Sequence, residues 1–458
     1  MPELIRKKKK MSSFEMIAFG FAGVILLGAI ILMLPISSSA GVVTPFDKTL
    51  FTATSAVCVT GLVVVDTGSY WSVFGQVVIL LLIQIGGLGV VTVAVSVFIL
   101  SGRKISLMQR STMQNAISAH KVGGIVRLTK FILKGTLFIE MAGALVLLPV
   151  FYRDFGTKGI WIAVFHSVSA FCNAGFDNLG SNSLQDYATN PTINLAVAFL
   201  IMSGSLGFAV WIDLIQLIRR YIKDRPRNWK LAWRPFSNQS RLVLISTGCL
   251  LLGGTLLAWL LEMDNSKTIG TLTVWQQLLV SFFQTVTMRT AGFATISYTN
   301  ADFSTNLLFM IQMIIGGGPG GTAGGIKVTT ASIMFLLFKS ELSGNSSVVF
   351  RNRIISNKTI LQAFTVILFF LTMLFVGYVI LLETNPTLSP LGLLFESVSA
   401  IATVGVSMDL TPNLNTLGRL VIMALMFIGR VGPITVLLSL MTKKEKHISY
   451  APTDISVG

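Results

Sequence analysis

The sequence predicts an all-α integral membrane protein made of four pseudo-equivalent repeats, and three observations lead to this fold class. Of the 458 residues, 53% are hydrophobic and only 12% are charged, with a mean hydropathy of +0.75. Such a composition requires apolar segments long enough to cross a bilayer. A short pattern recurs four times along the chain at a nearly constant period. Lys and Arg are concentrated between successive copies of that pattern, which determines the predicted topology.

The recurring pattern begins with Phe and ends, ten residues later, at a Gly that one large apolar residue follows. Its copies occupy residues 51–62, 165–176, 282–293 and 395–406. The terminal glycines, at steps of 114, 117 and 113 residues, are Gly61, Gly175, Gly292 and Gly405. In three of the copies a Ser stands six residues before the Gly. Internal repetition at a constant period predicts the architecture before any single element is analysed.

Two long apolar segments flank each copy and predict helices. The predicted pairs are 14–36 with 71–100, 131–152 with 192–218, 242–262 with 304–338, and 360–382 with 416–441. The first apolar run follows basic residues, as in a signal peptide, but it continues to Leu34 without a small-residue cleavage site and is predicted to stay as a helix. The predicted divisions are a basic cytoplasmic N-terminus at 1–13, repeats at 14–100, 125–224, 241–340 and 359–442, and a cytoplasmic C-terminus at 443–458.

The basic residues decide whether the repeated stretches cross the membrane. Segments 101–135, 216–241, 339–358 and 443–446 hold 7, 8, 4 and 3 Lys or Arg. Because short basic loops stay in the cytoplasm, two crossings per repeat place all four segments and both termini on that side, whereas three crossings would divide them between both sides. Each stretch must therefore enter from outside and return, which requires protein or a water-filled path around it. The net charge of +16 is then explained by cytoplasmic basic loops that lie next to the anionic lipid bilayer. Nucleic acid is not an expected partner.

The four stretches also predict a cation pathway, in which each unit is a helix, a pore loop and a second helix around one central pore. A helix that enters from outside and ends inside the membrane directs its negative dipole end inward, where it favours a cation. Since the last four residues of each stretch, up to and including the Gly, carry no acidic side chain, backbone carbonyls are the expected ligands. Gly allows these carbonyls to turn inward, and rings of them can replace an ion's hydration shell. The predicted ion-binding residues are Val59, Thr60, Gly61, Asn173, Ala174, Gly175, Thr290, Ala291, Gly292, Thr403, Val404 and Gly405.

A glycine-rich run at 316–325 interrupts an apolar segment and is a second candidate site. It contains seven glycines and Pro319; against Ala, each Gly disfavours helix by about 1 kcal/mol and Pro by about 3 kcal/mol. The helix must break here, and a break at membrane depth must face protein or a cavity. A phosphate-binding loop is not favoured, because the residue after Gly325 is not Lys. Milder glycine clusters at 86–89 and 204–207 fit either close helix packing or a hinge.

Arg430 is predicted to lie deep in the membrane. It precedes the basic end of the last helix by 13 residues, roughly 20 Å at helical rise, and an intramembrane charge predicts a functional site. On a cation path it would be a barrier unless carbonyls of the glycine-rich run or a carboxylate held it aside. We therefore assign Arg430 to gating, with a structural anchor as the alternative, and we expect Arg289 to pair with Glu396.

The motifs together resemble the membrane subunits of the Trk/Ktr/HKT superfamily of potassium transporters, and the chain is most similar to the Ktr-type subunit. The similarity covers nearly the whole length and rests on VTGL at 59–62, NAGF at 173–176, RTAGF at 289–293, TVGV at 403–406, GGGPGGTAGGIK at 316–327 and GRVGP at 429–433. It implies potassium uptake across the plasma membrane through a selectivity filter, with K+ as the transported ion and Na+ as an activator or coupled ion. It also implies an intramembrane gating loop consisting of Gly316, Gly317, Gly318, Pro319, Gly320, Gly321, Gly324, Gly325 and Lys327.

The resemblance further implies partners, namely a homodimer of this subunit and a cytosolic ring of nucleotide-binding regulatory subunits. The nucleotide would bind to the ring and not to this chain. Two alternatives stay open: a sodium-conducting or sodium-coupled transporter of the same fold, and a non-conducting accessory subunit of an ion-pumping ATPase. An enzyme is not expected, because the sequence contains no evident carboxylate pair, activated nucleophile or metal-binding cluster.

Overall fold

The computed structural model describes residues 13–93, 96, 125–180, 182–224 and 236–432, and most of these residues are helical. One short hairpin pairs β1 (Val349–Phe350) with β2 (Arg353–Ile354). The helices are α1 Ser13–Met33, α2 Phe46–Val57, α3 Thr67–Tyr70, α4 Val73–Leu88, α5 Ile125–Phe155, α6 Lys158–Cys172, α7 Pro191–Ser205, α8 Phe208–Asp224, α9 Asn238–Glu262, α10 Val274–Thr287, α11 Phe303–Ile314, α12 Val328–Leu342, α13 Asn357–Thr384, α14 Pro390–Ala402 and α15 Thr416–Val431.

Four described helices are long and apolar enough to cross a bilayer on their own. The spans are Glu15–Met33, Arg127–Phe155, Asn238–Glu262 and Asn357–Thr384. Large apolar side chains on these helices are exposed, among them Leu27, Phe138, Leu252 and Phe375. An exposed apolar surface of this extent fits contact with lipid. The predicted all-α membrane class is therefore confirmed.

A shorter, largely buried helix follows each of these spans. These helices, α2, α6, α10 and α14, have 12, 15, 14 and 13 residues, and they carry the repeated Phe-to-Gly pattern. At helical rise they are about 18–22 Å long, too short for a hydrocarbon core of about 30 Å. Side chains cap the first turn of two of them: the Ser389 side chain accepts from the Gly392 N–H, and Thr273 and Gln276 form a capping box. Their length supports stretches that enter the membrane and return.

The helices after the repeated stretches are shorter than the sequence predicts. The helix expected over 71–100 ends at Leu88, and the one expected over 416–441 ends at Val431; the parts of these predictions after residues 96 and 432 lie outside the described residues. The prediction of one helix over 192–218 is wrong, because α7 and α8 meet at an angle of 104°. The residues at these ends, Gly89, Gly207 and Gly432, have φ between +86° and +93°, a conformation that terminates helices and favours Gly.

The glycine-rich run breaks the third of these helices, as predicted. Helix α11 ends at Ile314 and α12 begins at Val328, so that residues 315–327 form an irregular loop. Two hydrogen bonds close this loop at its base: the Ile326 N–H donates to the Ile314 carbonyl at 3.0 Å, and the Gly316 N–H donates to the Ile326 carbonyl at 2.9 Å. The basic segments 1–12, 97–124 and 433–458 lie outside the described residues, and with them most of the predicted N-terminus, the first basic loop and the C-terminus.

Candidate ion pathway

Each repeated stretch adopts the same unusual backbone conformation at its end. The four glycines have φ of +100°, +66°, +91° and +96° in chain order, and the residues two positions earlier have φ of +55°, +60°, +69° and +52°. Those earlier residues are Val59, Asn173, Thr290 and Thr403. A positive φ is unfavourable for Val and Thr, and strained backbone of this kind is concentrated at functional sites. A strained turn that recurs four times therefore marks the stretches as a site.

Buried serines hold two of these turns and explain the Ser that precedes the Gly by six residues. The Ser55 hydroxyl accepts a hydrogen bond from the Gly61 N–H at 3.0 Å, and the Ser399 hydroxyl accepts one from the Gly405 N–H at 3.0 Å. In the second stretch Ser169 donates instead to the Phe176 carbonyl at 2.6 Å. The amide before the Gly is also engaged in each case; in the first stretch the Thr60 N–H donates to the Ser55 carbonyl at 2.9 Å.

The four glycines lie against one another in a closed ring. A Cβ on Gly61 would lie 2.5 Å from the Ala174 carbonyl oxygen, and one on Gly175 would lie 2.7 Å from that of Ala291. A Cβ on Gly292 would lie 2.5 Å from the Val404 oxygen, and one on Gly405 would overlap the Thr60 oxygen. Each Gly thus faces the carbonyl that precedes the Gly of the next stretch, and the fourth stretch returns to the first. The ring brings together all four predicted positions around one axis.

The glycines open onto one cavity of about 340 Å³. Three carboxyl groups also line it, those of Asp66, Asp177 and Asp409. Burial, with a smaller contribution from Asp66, raises the pKa of Asp177 to about 7. Protonation of this one carboxyl near neutral pH would reduce the negative charge of the cavity. The sequence analysis missed these residues, although Asp177 directly follows the NAGF motif.

The glycine-rich loop contacts the stretches on the side away from this cavity. The Gly324 N–H donates to the Thr290 hydroxyl at 3.1 Å, and the Thr322 hydroxyl donates to the Phe171 carbonyl at 3.1 Å. A Cβ on Gly324 would overlap the Thr403 hydroxyl. These contacted residues precede their glycines by two to four positions, whereas the cavity is lined by the glycines and the residues after them. The loop therefore lies behind the ring.

The bend between α7 and α8 holds this loop through backbone hydrogen bonds. The Gly318 N–H donates to the Ser205 carbonyl at 2.7 Å, and the Thr322 N–H donates to the Gly204 carbonyl at 3.1 Å. In return, the Phe208 N–H donates to the Gly320 carbonyl at 3.3 Å. We call residues 204–208 the elbow. The backbone N–H and C=O groups that have no partner within α7 or α8 form hydrogen bonds with the glycine-rich loop. The two irregular segments therefore stabilise each other.

Arg430 joins the loop to the first repeat. Its guanidinium donates to the Thr322 carbonyl and, through Nη2, to the Gly86 and Gly87 carbonyls at 2.5 and 3.0 Å. The expected contact between Arg430 and carbonyls of the glycine-rich run is therefore present. Lys327, also predicted for this site, donates from Nζ to the Ala323 carbonyl at 2.6 Å within the loop.

The expected pair between Arg289 and Glu396 is wrong. Arg289 donates from Nη2 to the Thr247 hydroxyl at 3.3 Å and to the Gly316 carbonyl at 3.5 Å, while Glu396 accepts from the Ser407 and Thr411 hydroxyls. Arg289 precedes its Gly by three residues and Glu396 by nine. Six residues correspond to about 9 Å of depth along equivalent helices, so the two side chains lie at different levels of the ring.

The milder glycine clusters serve close packing, and each also lies directly before a helix end. A Cβ on Gly86 would overlap the Val57 carbonyl, and one on Gly204 would overlap the Phe171 carbonyl. Both carbonyls precede the Gly of their own stretch by four residues. Gly429 in the last repeat has the same relation to the Ile401 carbonyl. Small residues thus let the second helix of these repeats pack directly on the backbone of the short helix.

Comparison with known proteins identifies relatives along the whole chain. A family model described as TrkH, cation transport protein, matches residues 14–450. The chain is 38% identical to the potassium/sodium uptake protein NtpJ of Enterococcus hirae, over 99% of each chain. It is 37% identical to the Ktr system potassium uptake protein B of Bacillus subtilis, over 97% of this chain and 96% of that protein.

A solved structure has the same fold. The potassium transporter TrkH from Vibrio parahaemolyticus matches with a TM-score of 0.74 at 16% sequence identity, over 96% of this chain and 87% of that one. At this identity the match is evidence for the shared fold alone.

Proposed function

The chain belongs to the TrkH family of cation transport proteins and functions in potassium uptake as a multi-pass membrane protein, and we propose that the four Phe-to-Gly stretches form its selectivity filter. The resemblance to the Trk/Ktr superfamily is thereby confirmed, and the protein is a transporter and not an enzyme. The proposal extends to an intramembrane gate, to partners and to the four-repeat organisation with the divisions given above.

The ring of glycines is the observation that carries the filter proposal. Four carbonyls, those of Thr60, Ala174, Ala291 and Val404, lie at one level, each against the Gly of a neighbouring stretch. Carbonyl oxygens that surround an axis can replace the water molecules of a monovalent cation. The dipoles of α2, α6, α10 and α14 add a negative potential at the same place. Asp66, Asp177 and Asp409 would concentrate cations at the outer mouth.

The glycine-rich loop is the proposed gate. It lies directly behind the ring, where an ion that leaves the filter must pass. The elbow hydrogen bonds and those of Arg430 are among the contacts that hold it. Backbone hydrogen bonds of this kind can exchange between two arrangements at low cost. We propose that the loop blocks the path in the observed arrangement and that its movement away from Arg430 opens it.

Regulation and topology complete the proposal. Both termini and the basic loops would be cytoplasmic, the subunit would form a homodimer in the plasma membrane, and a cytosolic nucleotide-binding ring would act on the basic face. The name of the Bacillus subtilis relative, a Ktr system protein B, supports a system of several subunits. Sodium is the second candidate ion, because the Enterococcus hirae relative is named a potassium/sodium uptake protein.

Flux through the purified protein in liposomes tests the proposal. We expect potassium uptake that exceeds sodium uptake and that rises when the cytosolic ring is added with its nucleotide. Sodium uptake equal to or above potassium uptake would favour the second candidate. Absence of flux with either ion, from protein that is correctly inserted and supplied with the ring, would contradict the filter proposal.

A further inference from the structure

The glycine-rich loop contacts two of the proposed filter stretches through Gly324. The Gly324 N–H donates to the Thr290 hydroxyl at 3.1 Å, and a Cβ on Gly324 would overlap the Thr403 hydroxyl. Thr290 and Thr403 each precede the Gly of their stretch by two positions, and their φ values are +69° and +52°. A positive φ is unfavourable for Thr and persists only where surrounding groups hold it. The loop is one of the groups that hold these two turns.

Thr322 joins the same loop to a third stretch, the second along the chain. Its hydroxyl donates to the Phe171 carbonyl at 3.1 Å and lies 3.0 Å from the side-chain amide of Asn173. Because a hydroxyl has one proton, the amide must direct its nitrogen towards Thr322 and donate to it. In this orientation the nitrogen also lies 3.3 Å from the Ile201 carbonyl, a second acceptor. Asn173 and Thr322 are fully buried, and Asn173 again has a positive φ two positions before its Gly. Thr322 therefore holds the end of α6 and the turn that follows it.

The backbone of Thr322 takes part in contacts that opening of the gate would break. Its carbonyl accepts from Arg430, and its N–H donates to the Gly204 carbonyl of the elbow at 3.1 Å. The backbone of this residue therefore belongs to the closed loop, while its side chain contacts the filter. Hydrogen bonds are lost when donor and acceptor are more than about 3.5 Å apart. A small displacement of the loop away from Arg430 would thus also separate the Thr322 hydroxyl from Phe171 and Asn173.

We propose that Thr322 couples the position of the gating loop to the affinity of the filter for K+. In the observed arrangement Thr322 and Gly324 hold the filter in a conformation that binds K+ tightly, and movement of the loop releases three of its four turns and weakens binding. The opening gate thereby helps the bound ion to leave, which transport requires. The inference rests on the filter and the gate in the proposed function, and it adds Thr322 as a positioning residue for ion binding.

The coupling acts in both directions. If the position of the loop changes the affinity for K+ by a given factor, bound K+ must change the equilibrium of the loop by the same factor. K+ therefore stabilises the loop in the observed arrangement, whereas a cation that is too large for the carbonyl ring, such as choline, does not. Both effects are measured at equilibrium on protein without the cytosolic subunits, so neither measurement depends on flux.

Titration of the purified protein with K+, followed by thermal unfolding, tests the role of the hydroxyl. Thr322→Val removes the hydroxyl and keeps the size of the side chain. The K+ concentration for half-maximal stabilisation should then rise roughly two- to tenfold, the factor that corresponds to one hydrogen bond. Thr322→Ser should behave as the wild type, and Thr322→Ala, which differs from it by the hydroxyl alone, should behave as Thr322→Val. These last two variants decide the matter if Thr322→Val does not fold. Thr255→Val, which removes a hydroxyl that donates to the Leu251 carbonyl within α9, is the control and should not change K+ binding.

Hydrogen exchange of the loop amides provides the reciprocal measurement. In the wild type the amides of residues 316–327 should exchange more slowly in K+ than in choline, because exchange reports local opening. The difference should be lost in Thr322→Val and retained in Thr255→Val. A hydroxyl that only stabilised the fold would change the exchange rates equally in both salts.

Wild-type K+ binding by Thr322→Val and Thr322→Ala would overturn the coupling, and so would loop exchange in the wild type that is the same in K+ and choline. A Thr322→Val protein that conducts more ions but binds K+ normally would also overturn it, because the hydroxyl would then act on the gate alone. The filter proposal is judged separately, by the ion ratio of Gly61→Ser. If that ratio changes as expected while Thr322→Val binds K+ normally, the filter stands and only the coupling fails.

Discussion

Gly405 lies so close to the carbonyl oxygen of Thr60 that a Cβ at residue 405 would overlap it. These two residues belong to the last and the first of the four stretches, which are farthest apart in sequence. Their contact closes the ring that Gly61, Gly175 and Gly292 continue. Any side chain added at one glycine must therefore displace a carbonyl of its neighbour.

Gly61→Ser should reduce the preference for potassium over sodium. Its Cβ would lie 2.5 Å from the Ala174 carbonyl oxygen, so the backbone must shift and one quarter of the carbonyl ring loses its position. Selectivity is a difference between two binding free energies, and a loss of about 1.4 kcal/mol changes the ion ratio tenfold. Uptake of both ions is compared with that of Gly23→Ser, where a Cβ has open space in the same repeat. An unchanged ratio in Gly61→Ser would remove Gly61 from the filter.

Ser399→Ala should weaken the fourth turn. It leaves the partly buried Gly405 N–H without its acceptor, which costs at most about 3 kcal/mol, the upper value for a buried unsatisfied donor. Ser397→Ala on the same helix removes a hydroxyl that only donates to its own helix at Leu393, and it should have a smaller effect. Thermal unfolding and the potassium-to-sodium ratio are measured for both. Equal effects of the two substitutions would show that the hydroxyl of Ser399 does not support the turn.

Arg430→Gln should raise potassium flux in the absence of the cytosolic ring. The substitution removes the charge-assisted hydrogen bonds to the loop carbonyl of Thr322 and to Gly86 and Gly87. Each such bond contributes about 1.5–3 kcal/mol, so the loss of one predicts at least about a tenfold increase in open protein. Arg419→Gln, which removes an ion pair with Asp47 at the opposite end of the same helix, is the control. Lower flux from folded Arg430→Gln would make this residue a support of the conducting path.

Potassium affinity should fall as the external pH is lowered through about 7. The Asp177 carboxyl has its pKa raised to about 7; above this pH it is charged and attracts cations, and below it the group is neutral. The KM for potassium should therefore increase between pH 8 and pH 6. At both pH values Asp177→Asn should have a KM close to the high value of the wild type at pH 6, with little dependence on pH. If the KM of Asp177→Asn depends on pH in the same way as that of the wild type, the group that titrates is not Asp177.

Cysteine labelling tests the topology. In a Cys249→Ser background, which removes the exposed native thiol, an impermeant reagent applied outside should modify Asn300→Cys and leave Asn345→Cys intact. Asn300 lies between α10 and α11, and Asn345 lies between α12 and β1, both exposed. Disruption of the membrane should then expose Asn345→Cys. Outside labelling of Asn345→Cys in intact cells would contradict two crossings per repeat.

The sequence predicted correctly those features that local composition constrains strongly. Long apolar runs must lie in lipid, basic loops must stay on one side, and a run of seven glycines with Pro319 must break a helix. A spacing repeated four times then predicted the ring positions, including Gly61 and Gly405. These features depend on local composition and period, so one chain suffices to find them.

The tertiary structure decided how these segments meet. The bend at Gly207, the contacts of Arg289 and the carboxyl groups around the outer cavity were not predicted. Each depends on the depth of a residue in the membrane and on the direction of its helix. Arg289 and Glu396 occupy equivalent stretches, but their levels in the membrane differ by about 9 Å. Leu206 is compatible with both the interior and the end of a helix, so the sequence does not locate the bend. Composition, charge and spacing are enough to predict which residues enter the membrane and turn there. Only the packed structure decided which carbonyl each of them faces, because buried backbone groups take their partners from segments that are remote in the chain.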